Sequence, residues 1–334
     1  MFLHRPPHSD LGVGIASGFV RAAGVHLCVG AGCNFERRTA LMERRTGKTG
    51  NPRLRASHHG PGKPEICAIW VEHPVYSQVV YCLDLVPAVV EKNPKLRNVE
   101  PFRTVLSGNR EAIAKLSLPD LEKILVATLT GMSVEEFNAE AKKWLTTSKD
   151  PRWKRPYTDL IYQPMLEVMQ YLRGNGFKTY IVTGGGQDFV RVYSERVYGI
   201  PPEQVVGTAD GTKFGYQKDG KPFLTKEPKL LLNDDKAGKP EGIHLMIGRR
   251  PYASFGNLNG DRQMLEYASA GDGARLAMLV LHDDAKREYA YGPAQGLPDT
   301  KVGTFTQPLY DEAKKQNWTV ISMKNDWKKI FSFE

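Results

Sequence analysis

Apolar positions in this chain change spacing near residue 160. From Pro74 to about Asp150 they recur every three or four residues, in GNREAIAKL, PDLEKILVATLTG and SVEEFNAEAKKWL, which places them on one side of a helix. Ser133 and Glu136 have the spacing of a capping box just before Phe137, Trp144 and Leu145, so a helix should start there. From residue 163 onward, short apolar runs alternate with helical stretches. PMLEVMQYLRGNG reads as helix, KTYIVTGGG as strand, QDFVRVYSERVYG as helix, YASFGN as strand, DRQMLEYAS as helix, LAMLVLH and WTVISM as strands, and NDWKKIF as a closing helix. The alternation predicts an α/β fold, a doubly wound (Rossmann-like) parallel sheet with helices on both faces, interrupted by a helical insert over 74–160. In such folds the reacting groups gather at the carboxyl ends of the strands.

The stretch PGKPEICAIWVEHP, residues 61–74, holds an apolar run from Ile66 to Val71 between a Pro/Gly-rich approach and a Glu-His-Pro exit. It predicts a short buried strand, so the sheet core is expected over 65–73 and 161–334. Residues 1–64 differ from everything after them. They hold five of the eight histidines, Arg pairs at 37/38 and 44/45 and many glycines, with no sustained periodicity, and they read as an extension with little fold of its own.

Composition narrows the function classes. At 41% apolar and 25% charged the chain is ordinary globular material, and the absence of any run of 18 apolar residues excludes a membrane-spanning helix. The net charge of +9 is concentrated in residues 1–64, so nucleic acid is not expected as a specific partner. Cys28, Cys33, Cys67 and Cys82 show no metal-binding spacing and are too few for a disulfide framework; free thiols are expected. TGKTG at 46–50 is not a phosphate loop, because Met42 stands where that motif needs glycine. LGVGIASGFV at 11–20 has the length of a signal-peptide core, but Asp10, Arg21 and His26 spoil its flanks, which favours the cytoplasm.

Three stretches could carry chemistry. In TYIVTGGGQDFVR a strand ends at Thr183 and a helix begins near Gln187, gathering a hydroxyl and the N–H groups of Gly184 and Gly185 at a helix start. That suits a phosphate, the alternative being a plain glycine turn. In NDDKAGKPEGI, Lys239 stands on an expected loop between Gly238 and Pro240. In SFGNLNGDRQML a strand leads into Asn257, Asn259 and Asp261, whose oxygens suit Mg²⁺; the same residues also suit a turn in which Asp261 caps the next helix.

Taken in order, strand-Thr-Gly-Gly, Lys loop and strand-Gly-Asn-x-Asn-Gly-Asp resemble motifs two, three and four of the haloacid dehalogenase-like phosphohydrolases. The helical insert ahead of motif two makes the chain similar to the phosphoserine-phosphatase-like branch, with 74–160 as its cap. The likeness runs from about Trp70 to the C-terminus and includes VLHDDAKREYAY and WTVISMKNDW. It implies Mg²⁺-dependent hydrolysis of a small phosphorylated molecule, with Thr183, Gly184, Gly185 and Lys239 on the phosphate and Asp261, Asn257 and Asn259 on the metal. Relatives of this branch often carry export signals, which makes the periplasm the alternative compartment.

Motif one of that family, Asp-x-Asp-Gly-Thr, supplies the phosphoryl-accepting aspartate and a second aspartate for proton transfer. AIWVEHP fits the tail of the family pattern, and counting back from Trp70 puts Pro64 and Ile66 where the aspartates belong, with Cys67 and Ala68 for Gly and Thr. Neither Pro64 nor Ile66 can accept a phosphoryl group or move a proton. Leu258 and Asn259 further depart from the family's Gly-Asn-Ser-Asp-Gly-Asp, which removes another carboxylate and lowers the expected metal affinity. Glu72 and His73 are not expected to replace the missing acids, Asp84 belongs to a cap helix, and His282, Asp283 and Asp284 read as a solvated loop that could alternatively face the cleft. Three outcomes follow: an impaired phosphatase, a phosphate-binding protein without catalysis, or a chain whose N-terminus was read out of frame. Translating the coding DNA upstream of codon 68 in the other two frames decides the last, which requires an Asp-x-Asp-Gly-Thr there and is dismissed without one.

Overall fold

The computed structural model describes residues 64–66, 68–300 and 302–334. The expectations for residues 1–63, including Cys28, Cys33, TGKTG and the signal-like stretch, and that for Cys67, lie outside the described residues.

A three-residue strand, β1 (Pro64–Ile66), opens the described chain. Five helices follow: α1 (Ser77–Lys92), α2 (Phe102–Leu106), α3 (Arg110–Ala114), α4 (Leu118–Leu129) and α5 (Val134–Thr147). The capping box read at Ser133 is present: the Ser133 hydroxyl accepts the Glu136 N–H while the Glu136 carboxylate accepts the Ser133 N–H. Then come α6 (Gln163–Gly174), β2 (Tyr180–Gly186), α7 (Gln187–Tyr198), β3 (Val205–Tyr216), β4 (Pro222–Leu232) and α8 (Gly238–Ile247). The chain ends with β5 (Ala253–Gly256), α9 (Arg262–Ser269), β6 (Leu276–Leu281), α10 (Gln307–Lys315), β7 (Thr319–Ser322) and α11 (Met323–Asp326). Helix α7 stops at Gly199, whose φ of 64° is the left-handed conformation that closes a helix without a Cβ clash.

The strands form one sheet in the order β4-β3-β2-β1-β5-β6-β7. All neighbours run parallel except β3 and β4, an antiparallel hairpin at one edge. This is the doubly wound α/β sheet expected, with β1 at its centre. Alternate strand residues face opposite sides. Ile181 therefore packs with Met165, Met169 and Phe189 on one face, and Val182 with Ile243 and Met264 on the other.

Four sequence expectations are corrected. The central strand is 64–66, not 66–71: Ala68 has a φ of 60°, which breaks the extended chain. The apolar run beyond it is buried, but its backbone pairs with another segment, Val71 N–H donating to Leu160 O and Tyr162 N–H to Ile69 O. The β3/β4 hairpin was not anticipated. Lys239 lies in the first turn of a helix rather than on a loop. The closing helix is the single turn 323–326, which shares only Asn325 and Asp326 with the expected NDWKKIF.

The helical insert does not stand apart from the sheet. Tyr81, Phe137 and Trp144 share one core with Phe189 and Tyr193 of α7, and Trp144 Nε1 donates to Asp84 on α1 at 2.8 Å, which gives Asp84 a structural partner. The hairpin adds a backbone strap: Lys226 N–H donates to Met132 O and Gly131 N–H to Lys226 O, in the loop between α4 and α5. Cys82 is buried in the insert, and burial pushes its thiol up to about 12, so it stays protonated and unreactive. Because Trp144 spans both layers, Trp144→Ala should cost about 3–5 kcal/mol in urea unfolding and leave one cooperative transition. Two separate transitions would mean that the insert folds independently.

Candidate functional site

Lys239 is 3% exposed, and its ammonium lies against β2, donating to Val182 O at 3.1 Å, one residue before Thr183. It also pairs with Asp261 Oδ1 at 3.1 Å. A buried ammonium requires such partners, since an unpaired charge in the interior costs several kcal/mol. The other oxygen of Asp261 closes the loop after β5, Oδ2 accepting from Asn257 N at 2.9 Å and Leu258 N at 3.2 Å. Three stretches distant in sequence thus meet at one point, beside the end of β1.

Beyond Asp261 the network continues through residues to which the sequence assigned no role. The Asn257 amide donates to Glu72 Oε2 at 3.0 Å and lies 3.3 Å from His282 Nε2. His282 Nδ1 meets Glu288 Oε2 at 3.1 Å, and Tyr162 OH donates to Glu288 Oε1 at 3.3 Å. With Nδ1–H donating to the carboxylate, Nε2 accepts from Asn257, so both amide hydrogens are used and the imidazole tautomer is fixed. His282 and Glu288 are fully buried, which corrects the solvated-loop reading of His282. Asp283 and Asp284 turn away: Asp283 accepts from Ser322 Oγ and Lys324 N, and Asp284 from Arg287. The signals for Glu72 and His282 were slight: a polar residue directly after a buried apolar run.

Burial dominates the local electrostatics. It pushes the Glu72 carboxyl up to about 7 against the opposing Asn257 hydrogen bond, with the Asp261 charge adding to the rise. It pushes Asp234, fully buried ahead of α8, up to about 7 against the nearby Lys239 charge.

At the glycine turn, Thr183 Oγ1 accepts Gly185 N–H at 3.1 Å, while Gly186 N–H donates to Gln78 Oε1 of α1 at 2.6 Å. Gly184 O accepts from Thr208 Oγ1 at 2.8 Å. Lys239 thus bonds the residue before Thr183, and Gly184 and Gly185 follow Thr183 in the turn. Of the expected metal residues, Asn257 and Asp261 come together. Asn259 does not join them: its Oδ1 accepts from Thr306 N and Oγ1, both at 3.1 Å, at the start of α10.

This donor set does not make a magnesium site as folded. Both Asp261 oxygens are engaged by Lys239 and backbone N–H groups, Asn259 points elsewhere, and no group of three or more His, Cys, Asp or Glu able to hold a metal occurs among the described residues. Residues 64 and 66, at the expected motif-one positions, lie within β1, paired with Ala253 and Phe255 of β5.

No family model and no curated protein matches the chain. Among solved structures it is similar to a protein of unknown function from Bordetella pertussis Tohama I, at 14% identity over 79% of this chain and 99% of that one, with a TM-score of 0.46. A phosphoserine phosphohydrolase-like protein from Francisella tularensis subsp. tularensis SCHU S4 follows at 15%, 67%, 88% and 0.35. A HAD family hydrolase from Salmonella enterica subsp. enterica serovar Typhi stands at 14%, 67%, 64% and 0.35.

The raised carboxyls carry a pH signature. Asp234 binds its proton more tightly in the fold than in the unfolded chain, whose carboxyls titrate near 4. Its favourable contribution is therefore present at low pH and lost as pH rises from about 4 through about 7. Urea unfolding across that window should show wild-type stability declining relative to Asp234→Asn; parallel curves would contradict the shift.

Proposed function

We propose that the chain is a haloacid dehalogenase-like phosphohydrolase by descent that binds a small phosphorylated molecule and hydrolyses it poorly or not at all. One observation supports the ancestry: Lys239 joins β2, one residue before Thr183, to Asp261 after β5, so the three motif-like stretches converge as the resemblance implies. A ligand phosphate is assigned to Thr183, Gly184, Gly185 and Lys239, beneath residues 74–160 as a helical cap.

Two features support loss of hydrolysis. Pro64 and Ile66 occupy the expected positions of the accepting and proton-moving aspartates, and proline and isoleucine side chains can do neither. Both Asp261 oxygens are already engaged, by Lys239 and by two backbone N–H groups, which leaves little to hold the Mg²⁺ that assists phosphoryl transfer. Loss of a nucleophile removes several orders of magnitude of rate. Glu72 is nearby but is held by Asn257 and is not assigned the missing role.

Inorganic phosphate in EDTA should raise the melting temperature of the full chain. At a hundredfold excess over Kd the stabilisation is about 2.7 kcal/mol. With Mg²⁺, generic phosphomonoesters should release no phosphate above background. Robust turnover would defeat the proposed loss of activity; no thermal shift at millimolar phosphate would defeat the binding site.

A further inference from the structure

The tip of the β3/β4 hairpin is open along its whole length. From Thr212 to Leu224 every residue is exposed except Gly215 and Phe223, which are half-buried. The pairs Thr212 with Lys226, Phe214 with Leu224 and Tyr216 with Pro222 fall on one face, since alternate residues of a strand point the same way. At Lys226 that face lies against Phe137 of the insert; two residues further out it is apolar and uncovered by any described residue. Phe214 is 59% exposed, Tyr216 68% and Leu224 40%, and the two rings meet edge to face at 5.1 Å. On the opposite face Phe223 lies over Gly215, where a Cβ would come within 3.3 Å of its ring.

The charge around these rings is positive. Residues 213–225 hold Lys213, Lys218 and Lys221 against Asp219 alone, and Asp219 is paired with Lys221 at 3.0 Å. Such a patch suits either a second copy of the chain or a lipid surface. Area and charge decide between them. The three apolar side chains leave on the order of 300 Å² open, whereas a stable dimer covers about 800 Å² on each partner. A two-fold contact through the patch would also bring the same lysines of both copies together, where they repel. A bilayer interface has neither difficulty. Aromatic rings settle at headgroup depth, and lysine stems lie along apolar surface while their ammonium groups reach the lipid charge.

We propose that the β3/β4 hairpin tip docks on an anionic lipid surface, with Phe214, Tyr216 and Leu224 entering the headgroup layer and Lys213, Lys218 and Lys221 meeting the lipid charge. The contact is peripheral and reversible, because one small patch is a single weak anchor. It does not depend on the phosphate site, since none of these residues belongs to the glycine turn or to α8.

Flotation of the full chain with lipid vesicles tests this. Mixed vesicles of phosphatidylcholine and phosphatidylserine should bind it at low salt and release it at high salt, and phosphatidylcholine alone should bind it roughly tenfold more weakly. Phe214→Ser with Tyr216→Ser should weaken binding to mixed vesicles roughly tenfold without lowering the melting temperature, because both side chains already stand in water. If that doubly substituted chain does not fold, Lys213→Glu with Lys218→Glu takes its place and should weaken binding by a similar factor. Binding unchanged in these variants, as the basic excess of residues 1–64 would produce, overturns the proposal. Equal binding to both kinds of vesicle, or binding to neither, also overturns it. A chain that is dimeric in solution and becomes monomeric on Phe214→Ser with Tyr216→Ser gives the patch to a second copy and overturns it as well.

Discussion

The buried ammonium of Lys239 is the constraint around which the strand ends are arranged. A lysine this deep is tolerated only when carboxylate and carbonyl oxygens surround it. Here they come from Asp261 and Val182, on elements separated by more than seventy residues of chain. Satisfying the charge fixes how α8 approaches β2 and how the loop after β5 turns, and the Asp261 oxygen left over ties that loop to itself through Asn257 and Leu258. The amide of Asn257 is then aimed at Glu72 and His282, so one ion pair orders a network reaching Glu288 and Tyr162.

The same economy governs the two layers. The insert covers the sheet by contributing Tyr81, Phe137 and Trp144 to a core that α7 and the sheet also line, rather than by closing over it as a detached body. Helix α1 takes part twice, through its apolar side in that core and through Gln78, whose carbonyl accepts the N–H of Gly186. The position of the insert and the shape of the glycine turn are therefore mechanically linked.

Much of this was legible in the sequence, and the rest was hidden for identifiable reasons. The insert helices announce themselves through apolar spacing and the Ser133–Glu136 box, and the sheet through its alternation of elements. Helix α8 was obscured by Gly238, Pro240 and Gly242, which look like loop residues. Proline is compatible with a first helical turn, and Gly242 is needed because a Cβ there would lie 2.5 Å from Asp234 Oδ1. The hairpin was obscured by the glycines and short polar residues that interrupt alternation in VVGTADGTKFGY. The strand at 66–71 was misassigned because burial alone does not say which backbone a segment pairs with. Glu72 and His282 entered the site by long-range contacts, with Asn257 from a different strand end, that local patterns cannot express.

The strap between Lys226 and the loop at Gly131–Met132 has a bearing on how the molecule meets its own copies. Strand β4 is the outermost of the sheet, and an outer strand offers its unpaired N–H and C=O groups to any extended chain nearby. The strap occupies both backbone groups of Lys226, and Pro222 and Pro228 have no N–H to offer. The bonds that fasten the hairpin to the helical insert thus also blunt one outer border of the sheet against strand-to-strand aggregation.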